Sequence, residues 1–303
     1  MDETDLAICR ALIENSRMSY SELGKALSIT PQAVHRRVQE LTDRGAIKGT
    51  VARLSPRATG KMWVFMYGPS RRSPMDEIAE GLGKIDGVVV FMVASGNLIY
   101  VHGVAKDAAE LARFVSSIQG VAGLQDPQVG IVSTPPPGPK STVTELDLRL
   151  MRALRTDAGK PITAVAAEVG VTPKTVRKRL NRLVEEGLVQ FSIHWSPDTA
   201  GDTVVNLHLT IRDDARRDKV AIEVIKRLSP HAVRTLWFSN LPNQIIVTIW
   251  TNSVREMQQI CHGLEETGLF ASVVPNIIRG ARYYDEDYSR AIDQVLKASK
   301  RPR

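Results

Sequence analysis

A chain of 303 residues with 43% hydrophobic and 24% charged side chains is long enough for two or more domains, and its composition is that of a globular protein rather than a disordered or fibrous one. The net charge of +7 favours polyanionic partners without naming one, and a cysteine count of two, Cys9 and Cys261, argues against a disulfide framework and suits a reducing compartment. The longest apolar run, Val88 to Ala94, is far too short to span a bilayer and the acidic opening MDETD is no signal peptide, so a soluble cytoplasmic protein without membrane contact is expected.

In chain order, Asp5 to Glu14 carries Leu6, Cys9, Leu12 and Ile13 at helical spacing, which predicts a first helix. SYSELGKAL offers Ser19 or Ser21 as a cap and Leu23 with Leu27 as an i, i+4 pair, a short second helix. Residues 29–45, ITPQAVHRRVQELTDRG, make a third. Thr30 is its N-cap, Pro31 its first helical residue, Val34, Val38 and Leu41 its apolar seam, and Gly45 its stop. Residues 46–54, AIKGTVARL, alternate around Gly49 and predict a small two-stranded wing. Residues 1–54 therefore read as a winged helix-turn-helix.

Residues 61–133 change rhythm. A strand from Met62 to Gly68 precedes a helix from Met75 to Ile85. Two strands, Val88–Ala94 and Asn97–Val104, flank the tight Ser95-Gly96 turn. Asp107 caps a helix running to Ile118, and Gly120 to Val132 supplies a last strand. The order β-α-β-β-α-β is the ferredoxin-like split βαβ unit.

Everything so far then recurs. A shift of about 142 residues superposes Asp5-Leu6 on Asp147-Leu148, Thr30-Pro31 on Thr172-Pro173, Arg37 on Arg179 and Gly45 on Gly187, so the chain is a tandem duplication. Residues 134–142 form a proline-rich spacer. Residues 143–196 repeat the winged helix-turn-helix, its third helix within VTPKTVRKRLNRLVEEG, and residues 202–280 repeat the βαββαβ unit. The tail, 283–303, has no counterpart; Tyr288, Ile292, Val295 and Leu296 predict a docked helix ending in Lys297, Lys300, Arg301 and Arg303. The fold class is α+β.

The third helices carry the chemistry. With the seam placed downward, Gln32, Arg36 and Gln39 point up in the first copy, flanked by His35; in the second, Lys174, Lys178 and Asn181 point up, flanked by Thr175, Arg177 and Arg182. Gln and Asn can pair bidentately with adenine, and Arg or Lys with guanine. Arg37 and Arg179 lie nearer the seam, better placed for phosphates. Solvated charge on any helix surface is the bland alternative; cap, seam, stop, preceding helix and wing, all present twice, favour double-stranded DNA as partner. The two heads differ at nearly every outward position. The six histidines lack metal-ligand spacing, neither cysteine has a partner motif, and Ser95-Gly96 is no nucleophile elbow, so no catalytic residue, metal or cofactor is expected; His102 and His208 read as core or surface residues of strands.

VTPKTVRKRLNRLVEEGLV, LDLRLMRAL and the SP…G connector resemble the Lrp/AsnC (feast/famine) family of transcription regulators over nearly the whole chain, twice. The resemblance implies RAM/ACT-like βαββαβ domains that associate through their sheets, a homodimer or higher homo-oligomer, and a possible small effector near the hairpin between the second and third strands. That hairpin offers Ser95, Gly96 and Asn97 in the first copy and Ser239, Asn240 and Asn243 in the second, without the family's frequent acidic residue. The family carries one such unit per chain; two fused units could let one chain mimic a dimer. Two further readings stay open: an architectural, non-specific DNA binder, and an enzyme like the siroheme decarboxylases, which share this architecture but usually carry a hairpin histidine that this chain lacks.

Overall fold

The computed structural model describes residues 1–72, 74–134, 142–196 and 203–284. The spacer at its centre, the second Pro197…Gly201 connector and the tail beyond residue 284 lie outside the described residues.

The first copy runs α1 (Glu3–Glu14), α2 (Tyr20–Leu27), α3 (Pro31–Asp43), β1 (Ile47–Leu54), α4 (Pro56–Thr59), β2 (Met62–Pro69), α5 (Met75–Leu82), β3 (Val88–Ala94), β4 (Leu98–Ala105), α6 (Ala108–Ala122) and β5 (Gln128–Ile131). The second runs α7 (Glu145–Leu154), α8 (Ile162–Val169), α9 (Pro173–Glu185), β6 (Val189–Trp195), β7 (Thr203–Ile211), α10 (Arg217–Leu228), β8 (Ala232–Trp237), β9 (Gln244–Thr251), α11 (Val254–Glu265) and β10 (Phe270–Tyr283). Ser19, not Ser21, caps α2, in a reciprocal capping box with Glu22.

The expected wing hairpin is not local. Within 46–54 there is a single strand, and β1 pairs antiparallel with β6 of the other copy, Ile47 opposite Trp195 and Leu54 opposite Val189. Gly49, expected at a turn, sits at the bulge between Ile47 and Thr50 with φ at +148°, where other residues strain. Ile47 belongs to the core of the first helical domain while Ala52 and Leu54 enter that of the second; Val189 and Phe191 start in the second and Ile193 and Trp195 reach the first. The ribbon therefore welds the two helical domains together.

Each βαββαβ unit orders its strands as the ferredoxin-like fold requires, β5-β2-β4-β3 and β10-β7-β9-β8, and β3 pairs with β10 to give one eight-stranded sheet. Period-two alternation sorts the side chains. Val64, Met66, Ile99 and Val101 face α5 and α6, and Val205, Leu207, Leu209 and Val247 face α10 and α11. Phe65, Tyr67, Tyr100, Leu236, Phe238, Ile246 and Trp250 face inward, where the two copies meet. The far edges also touch. Val132 bridges Phe238, Ser133 N–H donates to Trp237 O at 2.7 Å, and Ser239 N–H donates to Ile131 O at 2.9 Å. Gly130 admits Phe238 there: a Cβ on that glycine would lie 2.3 Å from the ring. Across the interior the Tyr100 hydroxyl and His208 Nε2 stand 2.9 Å apart, and Tyr67 Oη donates to Gln244 Oε1 at 2.7 Å.

Candidate nucleic-acid interface and the cavity behind it

Both reading helices are built the same way. Thr30 Oγ1 accepts from Ala33 N–H at 3.1 Å and Thr172 Oγ1 from Thr175 N–H at 3.2 Å, caps that each stabilise by about 1 kcal/mol. Val34, Leu41, Val176, Leu180 and Leu183 are buried, and Val38 packs partly against its core.

The outward faces differ in charge and in attachment. On α3, Gln32, His35, Arg36 and Gln39 are exposed. His35 leans edge-on against Tyr20 at 5.5 Å, Arg36 pairs with Glu40 at 3.9 Å, and Gln39 donates to Asp43 at 2.9 Å. On α9, Lys174, Arg177, Lys178 and Asn181 are exposed, and their side chains make no hydrogen bond or ion pair among the described residues. Thr175 turns back to Thr172, hydroxyl to hydroxyl at 2.9 Å.

Besides Arg36, three of the predicted DNA-contacting arginines have partners at home. Arg37 reaches Asp2 and Asp5, each at 2.7 Å. Arg182 reaches Asp147 at 2.6 Å and Glu186 at 3.3 Å, while Arg179 lies 3.5 Å from Asp147. Asp5 and Asp147 occupy the same position in α1 and α7, where each also completes a capping box. These arginines tie the reading helix to the first helix of its domain. The side-chain hydrogen bonds to Asp5 and Asp2 push the Arg37 guanidinium above its ordinary range.

The residues predicted for effector loops lie in turns and strand contacts among the described residues. Ser95, Gly96 and Asn97 form an exposed turn, left-handed at Gly96 and Asn97. Asn240 acts as a piece of strand: its Oδ1 accepts from Ile131 N–H at 2.7 Å and its Nδ2 donates to Val129 O at 2.8 Å. Ser239 Oγ donates to Ile131 O at 3.3 Å, and Asn243 donates to Asp213 at 2.6 Å.

A cavity of about 140 Å³ lies between the β1–β6 ribbon and the sheet. Trp63, Phe65, Trp195, Leu236 and Ile278 wall it, and Arg53, His102, Arg234 and Tyr283 bring polar groups. Arg53 Nη2 is 3.1 Å from His194 Nε2, the His194 ring stacks on Tyr283 at 4.7 Å, and the Tyr283 hydroxyl donates to Trp195 O at 2.9 Å. His102 is buried, and burial, then Arg234 and Arg53, push its pKa well down. Of these residues the sequence singles out only His102, as a core or surface residue of a strand. They come from strands of both copies and meet only once the ribbon closes on the sheet.

Two family models match the chain: an AsnC-type helix-turn-helix domain over residues 1–42 and a winged helix-turn-helix DNA-binding domain over residues 143–190. The HTH-type transcriptional regulator LrpA of Pyrococcus horikoshii is 30% identical over 119 residues, covering 39% of this chain and 84% of that protein. Ptr1 of Methanocaldococcus jannaschii, another HTH-type transcriptional regulator, is 31% identical over 118 residues, 38% of this chain and 80% of the relative. This chain is about twice their length. Among solved structures, the siroheme decarboxylase NirDL covers 99% of this chain and 100% of its own at a TM-score of 0.61 and 12% identity, a likeness of fold alone.

Proposed function

The chain belongs to the Lrp/AsnC family of HTH-type transcriptional regulators, and on that premise we propose that one molecule reads double-stranded DNA, sequence-specifically, through α3 and α9 as two unlike heads. The observation that carries this is the exposed Lys174, Arg177, Lys178 and Asn181 face of α9, set against the tempered Gln32, His35, Arg36 and Gln39 face of α3. On α9 those four groups and Thr175 are the candidates for bases and phosphates. Arg37, Arg179 and Arg182 position the helices, adding at most a shared phosphate contact.

The β1–β6 ribbon and the β3–β10 ladder supply within one chain the contacts that two separate units would make, so one chain carries a pseudo-two-fold pair of heads. Larger assemblies then need another surface. The exposed Ile222 and Ile225 on α10 are the candidate, and Ile225→Asp should return such an assembly to a single chain on sizing. A regulator of this kind works in the cytoplasm, without catalysis.

Competition binding tests the reading. An operator fragment should resist unrelated DNA by at least about a thousandfold; a ratio near one would make the protein an architectural binder. The end-to-end likeness to NirDL favours one second reading, tetrapyrrole chemistry, which a Soret shift on mixing with an iron tetrapyrrole would support.

A further inference from the structure

The ribbon closes on the sheet over a cavity of about 140 Å³ that neither reading helix lines. Two of its lining side chains are buried and carry a polar atom with no hydrogen-bond partner among the described residues, His102 at Nε2 and Trp195 at Nε1. Unmatched polar atoms of this kind are unfavourable in a folded interior, and most that persist have a partner still to come. The indole N–H can only donate. Burial, then Arg234 and Arg53, push His102 below its ordinary pKa, so its ring stays neutral and keeps a nitrogen that accepts. A hydroxyl both donates and accepts, and so meets the two side chains with one group.

The rest of the wall is apolar. His102 itself lies between Trp63 and Phe65, ring centroids 4.7 and 5.6 Å away, and Val204, Leu236 and Ile278 complete the surface. The volume is close to the roughly 150 Å³ of an apolar cavity that takes up benzene. Water supplies a hydroxyl but gains nothing from such walls, whereas an aryl ring is driven out of water onto them. We propose that this cavity is a binding site for a small neutral aromatic alcohol of the phenol class, its ring against Trp63, Phe65 and Ile278 and its hydroxyl bonded to His102 and Trp195. Arg53 and Arg234 have partners of their own within the protein, and the selection falls to these two side chains. The ribbon follows directly on α3 and α9, so occupancy would bear on how the two heads are held; that consequence, unlike binding itself, rests on the DNA reading above.

The test uses the full chain and no DNA, so its outcome is separable from that reading. Phenol and toluene are titrated by ligand-observed NMR. Toluene is the more hydrophobic of the two, so a merely apolar cavity would prefer it. Phenol is expected instead to saturate one site at least about fivefold more tightly than toluene. His102→Phe keeps a ring between Trp63 and Phe65; it should leave the unfolding midpoint no lower, spare toluene binding and cancel the advantage of phenol. Trp195→Phe, which removes the N–H and keeps an aromatic ring, should shrink that advantage as well. No saturable phenol binding at millimolar concentration, which would mean that water alone fills the cavity, would overturn the assignment. So would toluene binding as tightly as phenol, or an advantage for phenol that survives unchanged in both variants.

Discussion

The carboxylate of Asp147, wholly buried, sits 2.6 Å from Nη2 of Arg182. It also accepts from Thr144 N–H at 2.9 Å and from the Thr144 hydroxyl at 2.7 Å, so one side chain caps α7 and anchors α9. Arg182→Ala would leave a buried charge with only the more distant Arg179. A loss of about 2–3 kcal/mol in urea unfolding is expected, with DNA affinity falling less than for Arg177→Ala. A change below about 0.5 kcal/mol would mean the pair is merely incidental.

This pair also marks where the sequence stops being legible. Caps, seams and stops were readable because Thr30, Pro31 and Gly45, with their counterparts, act within one helix. The βαββαβ order was readable because strands and helices differ in period. A helical wheel, however, cannot separate Arg182 from Lys178, since both lie off the seam; Asp147, thirty-odd residues earlier, decides between them. The repeated coincidence of an acid at Asp5 and Asp147 with an arginine at Arg37 and Arg179 was the available signal. Nor does a period of two say which strand a strand pairs with. Gly49 looked like a turn because the β6 partner comes from the other copy.

Comparing the copies yields a stabilising change. Ser28 ends α2 in the left-handed region at φ 56°, where its counterpart after α8 is Gly170 at φ 75°. A serine there is strained and a glycine is not, so Ser28→Gly should raise stability by about 0.5–1 kcal/mol, seen as a higher urea midpoint at unchanged slope. A lower midpoint would show that the serine side chain matters more than its backbone.

The interior histidines make stability depend on pH. Burial pushes His208 down from 6.5 to about 4, and His102 moves the same way. Protons therefore bind the unfolded chain more tightly than the fold. The stability from keeping His208 neutral is full above pH 6.5 and is lost as pH falls toward 4, up to about 3 kcal/mol and less for its residual exposure. His208→Gln does not titrate and can still meet the Tyr100 hydroxyl, so its unfolding free energy should vary less with pH over this window. Parallel pH curves for the two proteins would contradict the assignment.

Salt should separate the two heads. Replacing Arg177 and Lys178 by alanine removes two free cations, and the log–log dependence of DNA affinity on salt should become shallower by about 2. Replacing Gln32 and Arg36 should change the slope by about 1 at most. Equal changes would argue for equivalent heads.

The most direct measurement is footprinting on sites recovered by genome-wide occupancy, with wild type beside the two double variants. Two protected half-sites of unlike sequence are expected, about 10 base pairs or a multiple apart, with Arg177→Ala plus Lys178→Ala weakening protection more than Gln32→Ala plus Arg36→Ala. A perfect palindrome protected equally in both halves, or the reverse order of the two variants, would contradict a chain that holds two unlike reading heads.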